Sequence, residues 1–298
     1  MPDAVVLVSG GAAVTPFTDP DRAARTGLAA GNTLTALRAH LLDRGVSVFT
    51  APARMGVGEV REDAGWQGFA DVPVVLPAEL TVNAVGEIDA AGAALAAFLR
   101  WLAEDRGLTS IDLVGHSMGG LFSRAAIREL RTGGPTVSRL VTLGTPWDGS
   151  LLGDVLSDEV SLSDAHGDPA TTQILERSRA YAAENSQGAA DQVSRRFLRG
   201  WNAAQVGVLD EVQVTAVGAG HFGSADRPRQ LWPHDGLVSQ QSARADEVPS
   251  AVLPHVTRHT FAGDVHSIFF ADAFGLPWER AITWDPAVFT VVDEAISA

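Results

Sequence analysis

Ser117 stands in the run Ile111-Asp112-Leu113-Val114-Gly115-His116-Ser117-Met118-Gly119-Gly120, where an apolar stretch gives way to a glycine-flanked serine. A hydroxyl becomes a useful nucleophile when it is held clear of its neighbours and given a base, and the G-x-S-x-G spacing supplies the first of these. On a sharp turn from strand to helix the serine backbone is strained, so side chains two positions to either side must be nearly absent. Gly115 and Gly119 meet that need. Gly120 then lets the following helix, with Leu121, Phe122, Ala125 and Ile127, pack closely on the strand behind it. The turn predicts Ser117 Oγ held out at the end of a sheet. It also leaves the Met118 backbone N–H at a helix N-terminus, free to bind an oxyanion. A plain glycine-rich turn has the same five residues; the apolar run before it and the helical pattern after it favour a catalytic elbow. His116 is read as a packing or hydrogen-bonding residue and not as the base, because neighbouring side chains on such a turn diverge.

The elements that must position this serine follow from periodicity. Ala4 to Val8 is a continuous run of mostly β-branched residues, the pattern of a strand buried on both faces, and Ser9-Gly10-Gly11-Ala12-Ala13 follows it. A helical pattern over 32–44 carries Leu34, Leu37, Leu41 and Leu42 and stops at Gly45; 46–50 reads as the next strand. The glycines and prolines of 54–81 predict a loop. Over 85–106, Ile88, Ala91, Leu95, Phe98, Leu99 and Leu102 recur at three- and four-residue steps, an amphipathic helix leading into the serine strand. Strands are expected at 137–143, 211–217 and 256–262, a short helix from His266, and a closing helix capped by Asp285-Pro286. Alternating strands and helices imply a parallel sheet covered on both faces. Between 149 and 206 the alternation stops and three helical patterns follow one another, which marks an insertion.

Gly115-His116-Ser117-Met118-Gly119-Gly120, with Leu143-Gly144-Thr145-Pro146 after the next strand, resembles the lipase and esterase branch of the α/β-hydrolase superfamily. The resemblance implies one α/β-hydrolase domain over 1–298, with a mostly parallel central sheet and helices on both faces. It also makes 149–206 a helical cap or lid over an acyl pocket. The family's loop after the first strand usually reads His-Gly-X; aligning Ser9-Gly10 with His-Gly puts the second oxyanion N–H on Gly11, beside that of Met118, and Ser9 departs from the usual histidine. In this superfamily the acid and then the base follow the serine. Asp235, in Pro233-His234-Asp235-Gly236-Leu237-Val238, resembles the acid position. Asp226 in the same connection is its rival, and Asp210 precedes its strand and would emerge at the wrong end. His266, on the loop after the last strand, matches the base. His259 within that strand is expected to be a buried core histidine, and His255 precedes it.

Composition narrows the function classes. A net charge of −14 opposes binding to nucleic acid or an anionic membrane. The absence of cysteine excludes disulfides, thiolate metal sites and cysteine nucleophiles. No apolar run reaches the roughly 18 residues of a membrane span. Met1-Pro2-Asp3 runs straight into the first strand without a basic leader, so no signal peptide is read and a cytoplasmic protein is expected, secretion remaining open. Asp154, Asp158, Glu159, Asp164 and Asp168 match no calcium loop and are expected to form a solvated acidic face, with no metal. Trp147 and the apolar faces of the insertion favour a greasy acyl group, which makes Trp147 a candidate substrate contact. The expected function is a serine hydrolase cleaving acyl or lipid carboxylic esters through an acyl-serine, with a small-molecule ester as partner and no cofactor. The same triad would also serve an acyltransferase, thioesterase or amidase, which a competing alcohol in a hydrolysis assay would separate. A non-catalytic binding protein on the same fold would fail to label with a serine-directed phosphonate.

Overall fold

The strand β1 (Ala4–Val8) is buried at every position, as its unbroken apolar run predicts. Its alternate side chains serve two cores. Val5 and Leu7 pack with Leu37, Leu41, Val288 and Val292 on one face, and Val6 and Val8 with Leu95, Phe98 and Phe122 on the other. The computed structural model describes residues 2–20, 33–61, 74–184, 189–223, 228 and 230–297. Its other strands are β2 (Val48–Thr50), β3 (Ala53–Arg54), β4 (Val82–Asn83), β5 (Ile111–His116), β6 (Arg139–Leu143), β7 (Gln213–Ala219) and β8 (Val256–Phe261). Six of them form one sheet in the order β2-β1-β5-β6-β7-β8, with every neighbouring pair parallel, while β3 and β4 form a separate pair. The α-helices are α1 (Thr35–Asp43), α2 (Ile88–Arg106), α3 (Met118–Leu130), α4 (Leu151–Leu156), α5 (Pro169–Glu184), α6 (Arg195–Ala203), α7 (Gln240–Ala243), α8 (Ile268–Ala273) and α9 (Pro286–Ser297).

Parallel neighbours need long crossovers, and these carry α1, α2 and α3; α1 is joined by the closing helix α9 on one face of the sheet, and α2 and α3 cover the other. Val46 falls outside the expected strand because its N–H closes the end of α1 onto Leu41 O (3.0 Å). Within the expected loop over 54–81, a 3-10 turn occupies Ala78–Leu80; residues 62–73 lie outside the described residues.

In α2 the predicted stripe Ile88, Ala91, Leu95, Phe98, Leu99 and Leu102 is buried, and the helix ends at Gly107 in the left-handed conformation (φ 68°). Burial of each larger apolar side chain contributes about 1.5–3 kcal/mol. The crossing of α2 over α3 depends on Gly92, where a Cβ would stand 2.2 Å from Ala125 Cβ. For Gly92→Ala, relief of the glycine's helix penalty (about 0.5–1 kcal/mol) opposes overpacking (about 1–3 kcal/mol). The contact is between two fixed backbones, so overpacking should win: the unfolding free energy is expected to fall by roughly 1–2 kcal/mol, read as a lower urea midpoint with an unchanged m-value. An equal or higher midpoint would show that the helices separate freely.

Over 149–206 the described residues hold α4, α5 and α6 and no strand. The acidic residues here are not the solvated face expected. Asp154 is buried; it accepts the Arg195 backbone N–H (2.7 Å) and pairs with the Arg195 guanidinium (3.1 Å), and burial pushes its carboxyl up to about 6. Asp164 closes a capping box with Ser161, and Asp168 accepts the Thr171 N–H (2.8 Å) at the start of α5. Several of these carboxylates thus cap or latch local structure. Among the described residues no three His, Asp or Glu side chains gather to hold a metal ion, and no helix is long and apolar enough to cross a membrane.

Candidate active site

The last residue of β5 is His116, and Ser117 follows with φ 54°, ψ −130°, a positive φ on a non-glycine residue. Such a conformation costs on the order of 1–3 kcal/mol and persists only where the surroundings enforce it. Here they do. A Cβ on Gly115 would stand 2.5 Å from Gly120 N, and one on Gly119 2.2 Å from Val8 O, so the turn closes only with glycine at both places. Ser117 N–H donates to Leu143 O (2.9 Å), and Thr145 Oγ1 donates to Ser117 O (2.8 Å). The Gly-Thr-Pro turn therefore holds the serine from the adjoining strand. On the other side, a Cβ on Gly10 would lie 2.6 Å from Ser117 Cβ, and one on Gly11 2.9 Å from Met118 Sδ. Among the described residues, neither the Gly11 nor the Met118 backbone N–H has an acceptor.

Asp235 and His266 come from the connections after β7 and β8, and the fold brings them together: His266 Nδ1 lies 2.7 Å from Asp235 Oδ2. A second bond, from His266 N–H to Asp235 O (2.8 Å), fixes the histidine backbone to the same residue. The fully buried carboxylate is aimed by the N–H groups of Leu237 (2.9 Å) and Val238 (2.7 Å), which donate to Oδ1. Facing a carboxylate, Nδ1 carries the proton, which leaves the Nε2 lone pair as a base. Ser117 and His266 both line one cavity of about 510 Å³, whose walls include Met118, Leu152, Ile174, Val238 and Phe269. Gly11 lines it as well.

His116 lines the same cavity, but both of its ring nitrogens have partners other than Ser117. Its Nε2–H donates to His266 O (2.9 Å), its Nδ1 lies 3.3 Å from Thr33 Oγ1, and burial, then the nearby His266, pushes it down to about 3. It is a neutral clamp on the loop that carries His266. Among the described residues, the other site candidates considered from sequence do not line this cavity. Asp210 is exposed ahead of β7, His255 is exposed ahead of β8, and Asp226 lies outside the described residues. His259 is half-buried on the edge strand β8, not enclosed in the core as expected, because no further strand covers that edge among the described residues.

Trp147, expected against the substrate, is instead fully buried and does not line the cavity; its neighbour Pro146 does. Its Nε1–H donates to Thr142 Oγ1 (3.1 Å), and its ring packs on the Arg124 guanidinium (4.4 Å to the centroid), which also lies 4.6 Å from the Trp201 ring. The indole is consumed in a Trp-Arg-Trp stack that joins α6 to α3.

Sequence reasoning missed His234. Its Nδ1 accepts the Gly236 N–H (3.2 Å), so Nε2–H donates to Thr171 Oγ1 (3.0 Å) on α5 and ties that helix to the turn bearing Asp235. Burial pushes its pKa down to about 4, from 6.5. Below pH 6.5 the unfolded chain therefore takes up a proton that the native state refuses, so stability falls as pH drops from 6.5 towards 4. This loss reaches about 1.4 kcal/mol per pH unit. Urea unfolding of wild type and His234→Gln between pH 7 and 4.5 is expected to show the wild-type advantage shrinking as pH falls. A constant difference would refute it.

With this geometry in place, likeness to known proteins acquires meaning. A family model described as PGAP1-like alpha/beta domain matches residues 92–160. No curated protein matches the sequence. Bacillus licheniformis lipase BlEst2 in its mature form is 16% identical over 92% of this chain and 89% of that one, with a TM-score of 0.52. Carboxyl esterase 2 of the mycorrhizal fungus Tuber melanosporum is 13% identical over 100% of this chain and 79% of that one, with a TM-score of 0.51. The metagenomic carboxyl esterase MGS0156 is 15% identical over 98% of this chain and 76% of that one, with a TM-score of 0.50. The chain has the α/β-hydrolase fold. The matched segment contains the Ser117 turn and the Gly-Thr-Pro turn that holds it, whereas Asp235 and His266 lie beyond it.

Proposed function

We propose that this α/β-hydrolase is a serine hydrolase of acyl or lipid carboxylic esters, working through an acyl-serine. The observation that carries the proposal is the 2.7 Å contact between His266 Nδ1 and a buried Asp235, in a cavity that His266 shares with a strained, glycine-flanked Ser117. His266 Nε2 takes the Ser117 proton as Oγ attacks the ester carbonyl, and Asp235 holds the tautomer and stabilises the imidazolium. The N–H groups of Gly11 and Met118 receive the oxyanion. His266 then protonates the leaving alcohol, and water, activated by the same nitrogen, cleaves the acyl-serine; no cofactor enters the cycle. The apolar walls suit an acyl chain, and the helices of 149–206 act as its cap, since Leu152 of α4 and Ile174 of α5 line the cavity.

A p-nitrophenyl ester series from acetate to palmitate, run beside labelling with a serine-directed fluorophosphonate, tests the reading. Turnover with a chain-length optimum and a label on Ser117 is expected. A label without ester turnover points to a different acyl substrate, and neither label nor turnover to a binding protein.

A further inference from the structure

The cavity-facing residues of α5 are Ile174, Arg177, Ser178 and Tyr181, at steps of three, one and three, which is one face of a helix. An apolar residue would continue that wall; Arg177 interrupts it. Among the described residues lining the cavity, Arg177 is the one carrying a fixed charge. Its relatives on α6 are neutralised: Arg195 pairs with Asp154 (3.1 Å), Arg196 with Glu159 (3.8 Å) and Arg199 with Asp148 (3.8 Å). Arg177 has no carboxylate partner among the described residues and is exposed at the mouth of the cavity. A chain of net charge −14 repels anions in general, and a cation without a carboxylate partner beside an apolar cavity offsets that repulsion locally. The guanidinium fork matches carboxylate and phosphate oxygens.

We infer that Arg177 is the counter-ion for an anionic group carried by the substrate, which makes the site selective for anionic over neutral acyl esters. The inference rests on the ester-hydrolase reading and specifies its substrate class. The anion is a carboxylate or phosphate, borne either at the far end of the acyl chain or on the leaving alcohol.

Two substrate pairs separate these sources: p-nitrophenyl octanoate against mono-p-nitrophenyl suberate, and 1-octanoylglycerol against its 3-phosphate. In at least one pair the ratio of kcat/KM, anionic over neutral, is expected to fall about tenfold or more in Arg177→Gln and further in Arg177→Glu, through KM and not kcat. The responding pair identifies which end of the substrate carries the charge. Turnover of neutral esters with ratios unmoved by either substitution overturns the role of Arg177 and leaves the hydrolase reading intact. Titration of Ser117→Ala with the anionic esters, with and without Arg177→Gln, reads binding without turnover. Equal affinities in that titration refute the inference even where wild type hydrolyses nothing.

Discussion

Ser117→Ala is expected to lower kcat/KM toward the best p-nitrophenyl ester by roughly 10⁴- to 10⁶-fold, the range found when a serine nucleophile is removed from an otherwise intact site. The fold should not suffer. Alanine keeps the Cβ that meets the Gly10 loop, and the bonds that hold this turn, to Leu143 O and from Thr145 Oγ1, are made by the Ser117 backbone. The unfolding free energy from urea titration should therefore stay within about 0.5 kcal/mol of wild type. A variant that folds and retains a hundredth of the activity would remove Ser117 from the mechanism, and the strained φ would then need another explanation.

The part of this site that could be read from the sequence is the part made by neighbours along the chain. Gly115, Ser117 and Gly119 define their turn by local sterics, and β1 and α2 declare themselves by an unbroken apolar run and by a helical stripe that is buried where expected. Asp235 and His266 were recognisable through family resemblance; their 2.7 Å contact is a product of the closed sheet. What the sequence concealed are partners distant in the chain. Asp154 looks like one more surface carboxylate until Arg195, 41 residues on, folds over it. Trp147 has the apolar size of a substrate contact, and only the position of Arg124 shows that its ring is already committed. His234 was hidden by its own neighbour, since the chemistry of Asp235 gave no reason to ask what the preceding side chain holds.

Asp235→Asn should lower kcat/KM about ten-thousandfold, and the reason lies in the direction of two N–H groups. Leu237 and Val238 both donate to Oδ1, so the amide of an asparagine will keep its oxygen there and turn its NH₂ toward His266. That NH₂ donates to Nδ1, which forces the imidazole proton onto Nε2, the atom that must be bare to receive the proton of Ser117. The variant is nearly isosteric and its turn retains both backbone bonds, so the defect should appear in ester turnover and fluorophosphonate labelling together, with the protein still folded. Retention of a tenth of the wild-type rate by a folded Asp235→Asn would show that another carboxylate orients His266. Asp226, in the same connection, would then be the residue to replace next.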